Sequence, residues 1–135
     1  MSQKGLGNLQ PLRLRDHFRS EARDFTSWLK GNIDTLGEML GLELEAGHQE
    51  KRVGPFRADL VYKLRDSNKT VVLENQFGPS DHRHLGALQA YVAGTEAKIG
   101  IWVAEKFRKE HVKVLQDLNG RSDGIKIYAV RARLL

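Results

Sequence analysis

The sequence predicts one mixed α/β domain spanning 1–135, with a mixed central sheet of about five strands and helices on both faces. Three observations carry this. Phe56 to Leu64 and Thr70 to Leu73 are apolar runs flanking the polar cluster Asp66, Ser67, Asn68, the pattern of a β-hairpin. Ile99 to Ala104, IGIWVA, is apolar at nearly every position, as in a parallel strand covered on both faces. Helical periodicities sit on either side of that strand: Leu85, Leu88 and Val92 before it, and Phe107, His111, Val114, Leu115 and Leu118 after it. The order is then helix, three strands, helix, strand, helix, strand, which calls for a sheet layered between helices.

Taken in order, the Gly-rich polar start, 1–11, predicts a flexible arm or an edge segment. Ser20 is placed to cap a helix, with Glu21 and Asp24 in its first turn and Phe25, Trp28 and Leu29 on its apolar face. Gly31-Asn32 interrupts it, and a second helical piece runs from Ile33 to Leu40 and stops at Gly41. Leu42 to Ala46 alternates as a first strand that the polar residues through Arg52 continue to the Gly54-Pro55 turn. After the hairpin, Gly78-Pro79 breaks the chain and Ser80 caps a helix from about Asp81 to Ala93. The next helix ends near Asn119-Gly120, and Ile125 to Arg131 closes the sheet.

Lys plus Arg total 22 against 17 acidic residues, a formal charge of +5, and such a balance favours contact with polyanions. The absence of cysteine excludes disulfides, thiolate zinc sites and thiol catalysis. There is no signal-peptide core at the start and no apolar run of membrane-spanning length, so a soluble, cytoplasmic protein is expected. GLG near the N-terminus lacks the strand and helix of a phosphate loop.

The hairpin holds the chemistry, through its parity. Arg57, Asp59 and Val61 share one strand face, and Val72, Glu74 and Gln76 share another. A two-residue turn at Asp66-Ser67 pairs Arg65 with Asn68, Val61 with Val72, and Asp59 with Glu74. Opposed carboxylates require a compensating cation, a basic neighbour or a shifted register. A divalent metal is one solution, and an ordinary solvated polar face is the plain alternative.

Asp59 followed after a hairpin by Glu74-Asn75-Gln76, together with GPFRAD, VVLENQ and DHRHLGALQAYVAG, resembles the PD-(D/E)XK nuclease superfamily, in its bacterial restriction-endonuclease-like and RecB-like branch. The similarity runs from about Glu21 to Val103. It implies a restriction-endonuclease-like three-layer core, order αβββαβαβ, and metal-dependent hydrolysis of DNA in restriction, repair or defence. It also implies Mg²⁺ (or Mn²⁺) held by Asp59, Glu74 and Glu21, with Asp24 in reserve and the Asn75 carbonyl as a further donor. Read alone, Glu21 is an acid that complements the helix dipole. Asp59, Glu74, Glu21 and Gln76 would be the catalytic set.

Two positions depart from that pattern. Gln76 stands where the superfamily carries Lys, so a neutral amide replaces the cation beside the attacking water, and Gln76→Lys is expected to raise cleavage. Tyr91 matches the Tyr of a Q-x-x-x-Y helix motif, but Ala87 replaces its Gln. Arg57, Arg83, His82, His84 and Tyr91 are the expected nucleic-acid contacts, with Lys106 and Arg108 on the phosphate-facing surface. His82 and His84, two apart, point apart on a helix and do not chelate one metal. His111, Trp28 and Trp102 fall in apolar patterns and are read as core residues. A two-fold dimer would serve both strands of a duplex, joined at the Ile125–Val130 edge or at the helix face near Tyr91. Two other readings stand beside this one: a decayed nuclease-like domain that binds nucleic acid or protein, and a plain interaction domain.

Overall fold

The computed structural model describes residues 6–8, 27–46, 51–53, 56–58 and 60–132. In chain order these form β1 (Leu6–Asn8), α1 (Ile33–Leu40), β2 (Leu44–Ala46), β3 (Lys51–Val53), β4 (Phe56–Ala58), β5 (Val61–Leu64) and β6 (Thr70–Asn75). They continue as α2 (His82–Gly94), β7 (Ile99–Ala104), α3 (Lys109–Asn119) and β8 (Lys126–Arg131). Residues 27–31 are also helical and precede α1.

Among the described residues, β1-β8-β7-β6-β5-β2 form a six-stranded mixed sheet, and β3 and β4 form a separate two-stranded ribbon. The β6, β7, β8 and β1 strands run parallel, whereas β5 joins antiparallel to β6 and β2 antiparallel to β5. Every residue of β7 is buried, as its unbroken apolar run demands. Leu36 and Leu40 of α1 pack with Leu29 on one face of the sheet, against Val71, Leu73, Ile101 and Val103. Leu88 and Val92 of α2 and Leu115 of α3 cover the other face, against Val72, Trp102, Ile127 and Ala129. Period-two alternation along β6 and β7 thus divides one sheet between two cores.

Four expectations change in detail. Phe56–Leu64 is two strands, β4 and β5, because β4 pairs with β3 instead of β6. The first strand ends at Ala46, and Lys51–Val53 belongs to the ribbon. The hairpin loop has four residues, 65–68: Asn68 N–H donates to Leu64 O at 2.8 Å, Leu64 N–H to Lys69 O at 2.9 Å, and Asn68 takes the left-handed φ of 61°. A four-residue loop keeps the same register as a two-residue one, so Val61 still faces Val72. Leu6–Asn8 is an edge strand beside β8, which leaves the Ile125–Val130 stretch inside the sheet instead of at its rim.

Candidate active site

The alternation that buries Val72 puts Glu74 and Gln76 on the same side of the sheet, the side covered by α2 and α3. Glu74 lies level with Trp102 of β7 near the C-terminal end of β6 and is half-buried. It forms one wall of a cavity of about 480 Å³ whose other wall is α2, through Arg83, His84, Gly86, Ala87, Ala90 and Tyr91. Positions 83, 87 and 90 or 91 recur at helical spacing, so one stripe of α2 faces the cavity while Leu85, Leu88 and Val92 on another stripe hold the helix to the sheet. Small side chains at 86, 87 and 90 leave the space open.

Helix α2 approaches the sheet closely because of Gly100. A Cβ there would stand 2.9 Å from Ile127 Cδ1, 3.1 Å from Val92 Cγ2 and 3.2 Å from Leu88 Cδ1. The helix starts with Asp81 as its cap, not Ser80. Asp81 Oδ1 accepts from the His84 backbone N–H at 2.8 Å and meets His84 Nδ1 at 2.8 Å. Ser80 is instead fully buried in a polar chain that joins the two helices. Its Oγ accepts from the Arg108 N–H at 2.9 Å and lies 2.6 Å from His111 Nδ1, while His111 Nε2 lies 2.7 Å from His82 Nδ1.

Glu74, Arg83, His84 and Tyr91 therefore line one cavity. His82, from the same helical turn, faces α3 instead. Gln76 is buried, its Oε1 accepting from Trp102 Nε1 at 3.1 Å and its Nε2 donating to the Pro79 carbonyl. Arg108 Nε donates to Ser80 O at 3.2 Å, close to the helix junction. Arg57 is in β4, in register with Arg52 of β3, and β3 runs beside α2. Asp59, Glu21 and Asp24 lie outside the described residues. Among the described residues no three His, Asp or Glu side chains converge as a metal cluster.

Two titrating groups near the site are displaced. Burial works against the charged Asp81 carboxylate, but the backbone and side-chain hydrogen bonds from His84 outweigh it and hold its pKa below the usual carboxylate value. Desolvation, followed by the neighbouring His82, lowers the pKa of His111. The Ser80–His111 and Gln76–Trp102 contacts were beyond sequence reading, because the partners lie 31 and 26 residues apart with no local pattern between them.

Comparison with known proteins gives the fold. The chain is similar to a repair endonuclease from Pyrococcus abyssi, with a TM-score of 0.62 and 17% identity over 84% of this chain. The match covers 48% of that protein, so the chain spans about half its length. No protein-family model and no curated protein matches the chain. The chain thus shares its fold with part of that protein, and no helix among the described residues is long and apolar enough to cross a membrane.

Proposed function

We propose that the chain is a metal-dependent nuclease domain of the PD-(D/E)XK type, cutting DNA phosphodiesters at the cavity between Glu74 and α2. One observation carries the reading: a half-buried carboxylate at the end of a central strand faces Arg83, His84 and Tyr91 across an open cavity, in a fold shared with a repair endonuclease. Arg83 is a fixed cation for a phosphate oxygen, His84 can donate a hydrogen bond to another, and Tyr91 offers an aromatic surface to a sugar or base.

The donor set suits a hard cation. Glu74 supplies carboxylate oxygens at an open site, and Asp59 and Glu21 are the proposed companions. Mg²⁺ or Mn²⁺ held there would polarise the scissile phosphate and lower the pKa of a water. The protein's own part is to position the phosphate with Arg83 and His84 and to hold Glu74 on a rigid central strand. In a homodimer, two such centres would serve the two strands of a duplex. With β8 flanked by β1 and β7, that contact would use a surface other than the Ile125–Val130 edge.

A second reading has its own support. The residue at the motif's Lys position, Gln76, is buried and both ends of its amide are engaged, which favours a domain that binds nucleic acid without cutting it. A cleavage assay with plasmid and single-stranded DNA in Mn²⁺ separates the two. Cleavage that disappears in Glu74→Gln supports the nuclease. Salt-sensitive binding without cleavage supports the binding module, and neither cleavage nor binding at low salt leaves a plain interaction domain.

A further inference from the structure

We propose that His111 is the positioning residue of this site: through Ser80 and His82 it fastens the first turn of α2, and with it Arg83 and His84, and it releases that turn when the His82–His111 pair takes up protons. The functional consequence rests on the reading of the α2 cavity as a nucleic-acid site. The fastening itself does not.

Hydrogen bookkeeping fixes the direction of the chain. Ser80 Oγ meets the Arg108 N–H, which can only donate, and His111 Nδ1, so the hydroxyl hydrogen finds its acceptor at His111 Nδ1, 2.6 Å away. His111 then carries its hydrogen on Nε2 and donates to His82 Nδ1 at 2.7 Å, which leaves the His82 hydrogen on Nε2, at the exposed end. In this arrangement every buried hydrogen has an acceptor. A proton added to the pair puts hydrogens on both nitrogens of His82. His111 must then move its hydrogen to Nδ1 and donate to Ser80 Oγ, and the buried Ser80 hydroxyl hydrogen loses its acceptor. A second proton sets two N–H groups against each other across the 2.7 Å contact, and the link between α2 and α3 breaks.

The surroundings of His111 work against a positive charge on its ring. His111 is 1% exposed and is packed against the Trp102 ring. Of the groups that face it, His82 from α2 and Arg108 before α3 oppose a positive charge, whereas Asp81 and Glu110 favour one. Asp81 is itself engaged by His84. Desolvation is the largest influence and lowers the pKa of His111.

The test uses the full chain labelled with ¹⁵N-histidine, followed by NMR from pH 8 to pH 5. His111 should carry its proton on Nε2 at neutral pH and gain one on Nδ1 only on acidification. Exchange protection of the His84 and Leu85 amides, both hydrogen-bonded to Asp81, should be lost on acidification after correction for intrinsic exchange. In His82→Asn, an amide oxygen can accept from His111 Nε2 without titrating, so less protection should be lost by pH 5 than in the parent. Affinity for a DNA duplex should fall with acid more in the parent than in His82→Asn, opposite to the gain that added histidine charge alone would give. An unchanged tautomer and steady protection in the parent, or the same acid loss in His82→Asn, would overturn the proposal. The expected NMR behaviour without DNA binding at any pH supports the fastening and overturns the nucleic-acid reading instead.

Discussion

A buried amide must find partners for both its ends, and Gln76 does so inside the protein, with Trp102 Nε1 and the Pro79 carbonyl. Lysine at 76 would leave the Trp102 N–H without an acceptor and bring an ammonium group into a place only 4% exposed. Gln76→Lys, which the motif alone suggests would supply a missing cation, is therefore expected to destabilise the fold by about 2 kcal/mol or more. Urea unfolding measures this, and unaltered stability would mean that the new side chain reaches the cavity instead. Asp81 provides a second test at this scale. Because its pKa is lowered in the folded protein, its contribution is fully present above the ordinary carboxylate pKa and is lost as pH falls through the depressed one. Asp81→Ala should cost about 1 kcal/mol at pH 7, and parent and variant should converge in strong acid.

Helix α2 and strand β6 together make the cavity, so their spacing is the quantity to perturb. Gly100→Ala would insert a methyl group among Ile127, Val92 and Leu88 and is expected to cost about 1–3 kcal/mol while pushing α2 outward. Thermal unfolding reads the cost, and weakened DNA binding reads the displacement. These elements were largely legible in the sequence. The IGIWVA run announced a central strand, and the Val61–Val72 pairing held because two- and four-residue hairpin loops give the same register. The pattern failed where the decision lay far along the chain. Phe56 to Leu64 reads as one strand, yet β4 pairs with β3 in its own ribbon. Ser80 and Asp81 are both good caps by local chemistry, but Ser80 is taken by His111 from α3. Asp59 and Glu21 lie outside the described residues, so the sequence remains the ground for their proposed roles.

Across the whole molecule, a charge of +5 and a cavity fronted by Arg83 imply that DNA affinity should fall steeply as salt rises. Arg83→Ala should weaken binding and flatten that salt dependence, as anisotropy of a labelled duplex would record. A plasmid substrate reports on assembly as well. A dimer with two centres should yield linear product early, whereas a single centre should accumulate the nicked form. The most direct measurement of the central claim is the paramagnetic effect of Mn²⁺ on the amide spectrum of the full chain. If the metal sits beside Glu74, the resonances of Gly86, Ala87 and Ala90 should broaden at low Mn²⁺, those of Lys113 and Asp123 should stay sharp, and Glu74→Gln should abolish the effect. Broadening centred elsewhere, or identical broadening in Glu74→Gln, would contradict a metal-dependent centre at this cavity.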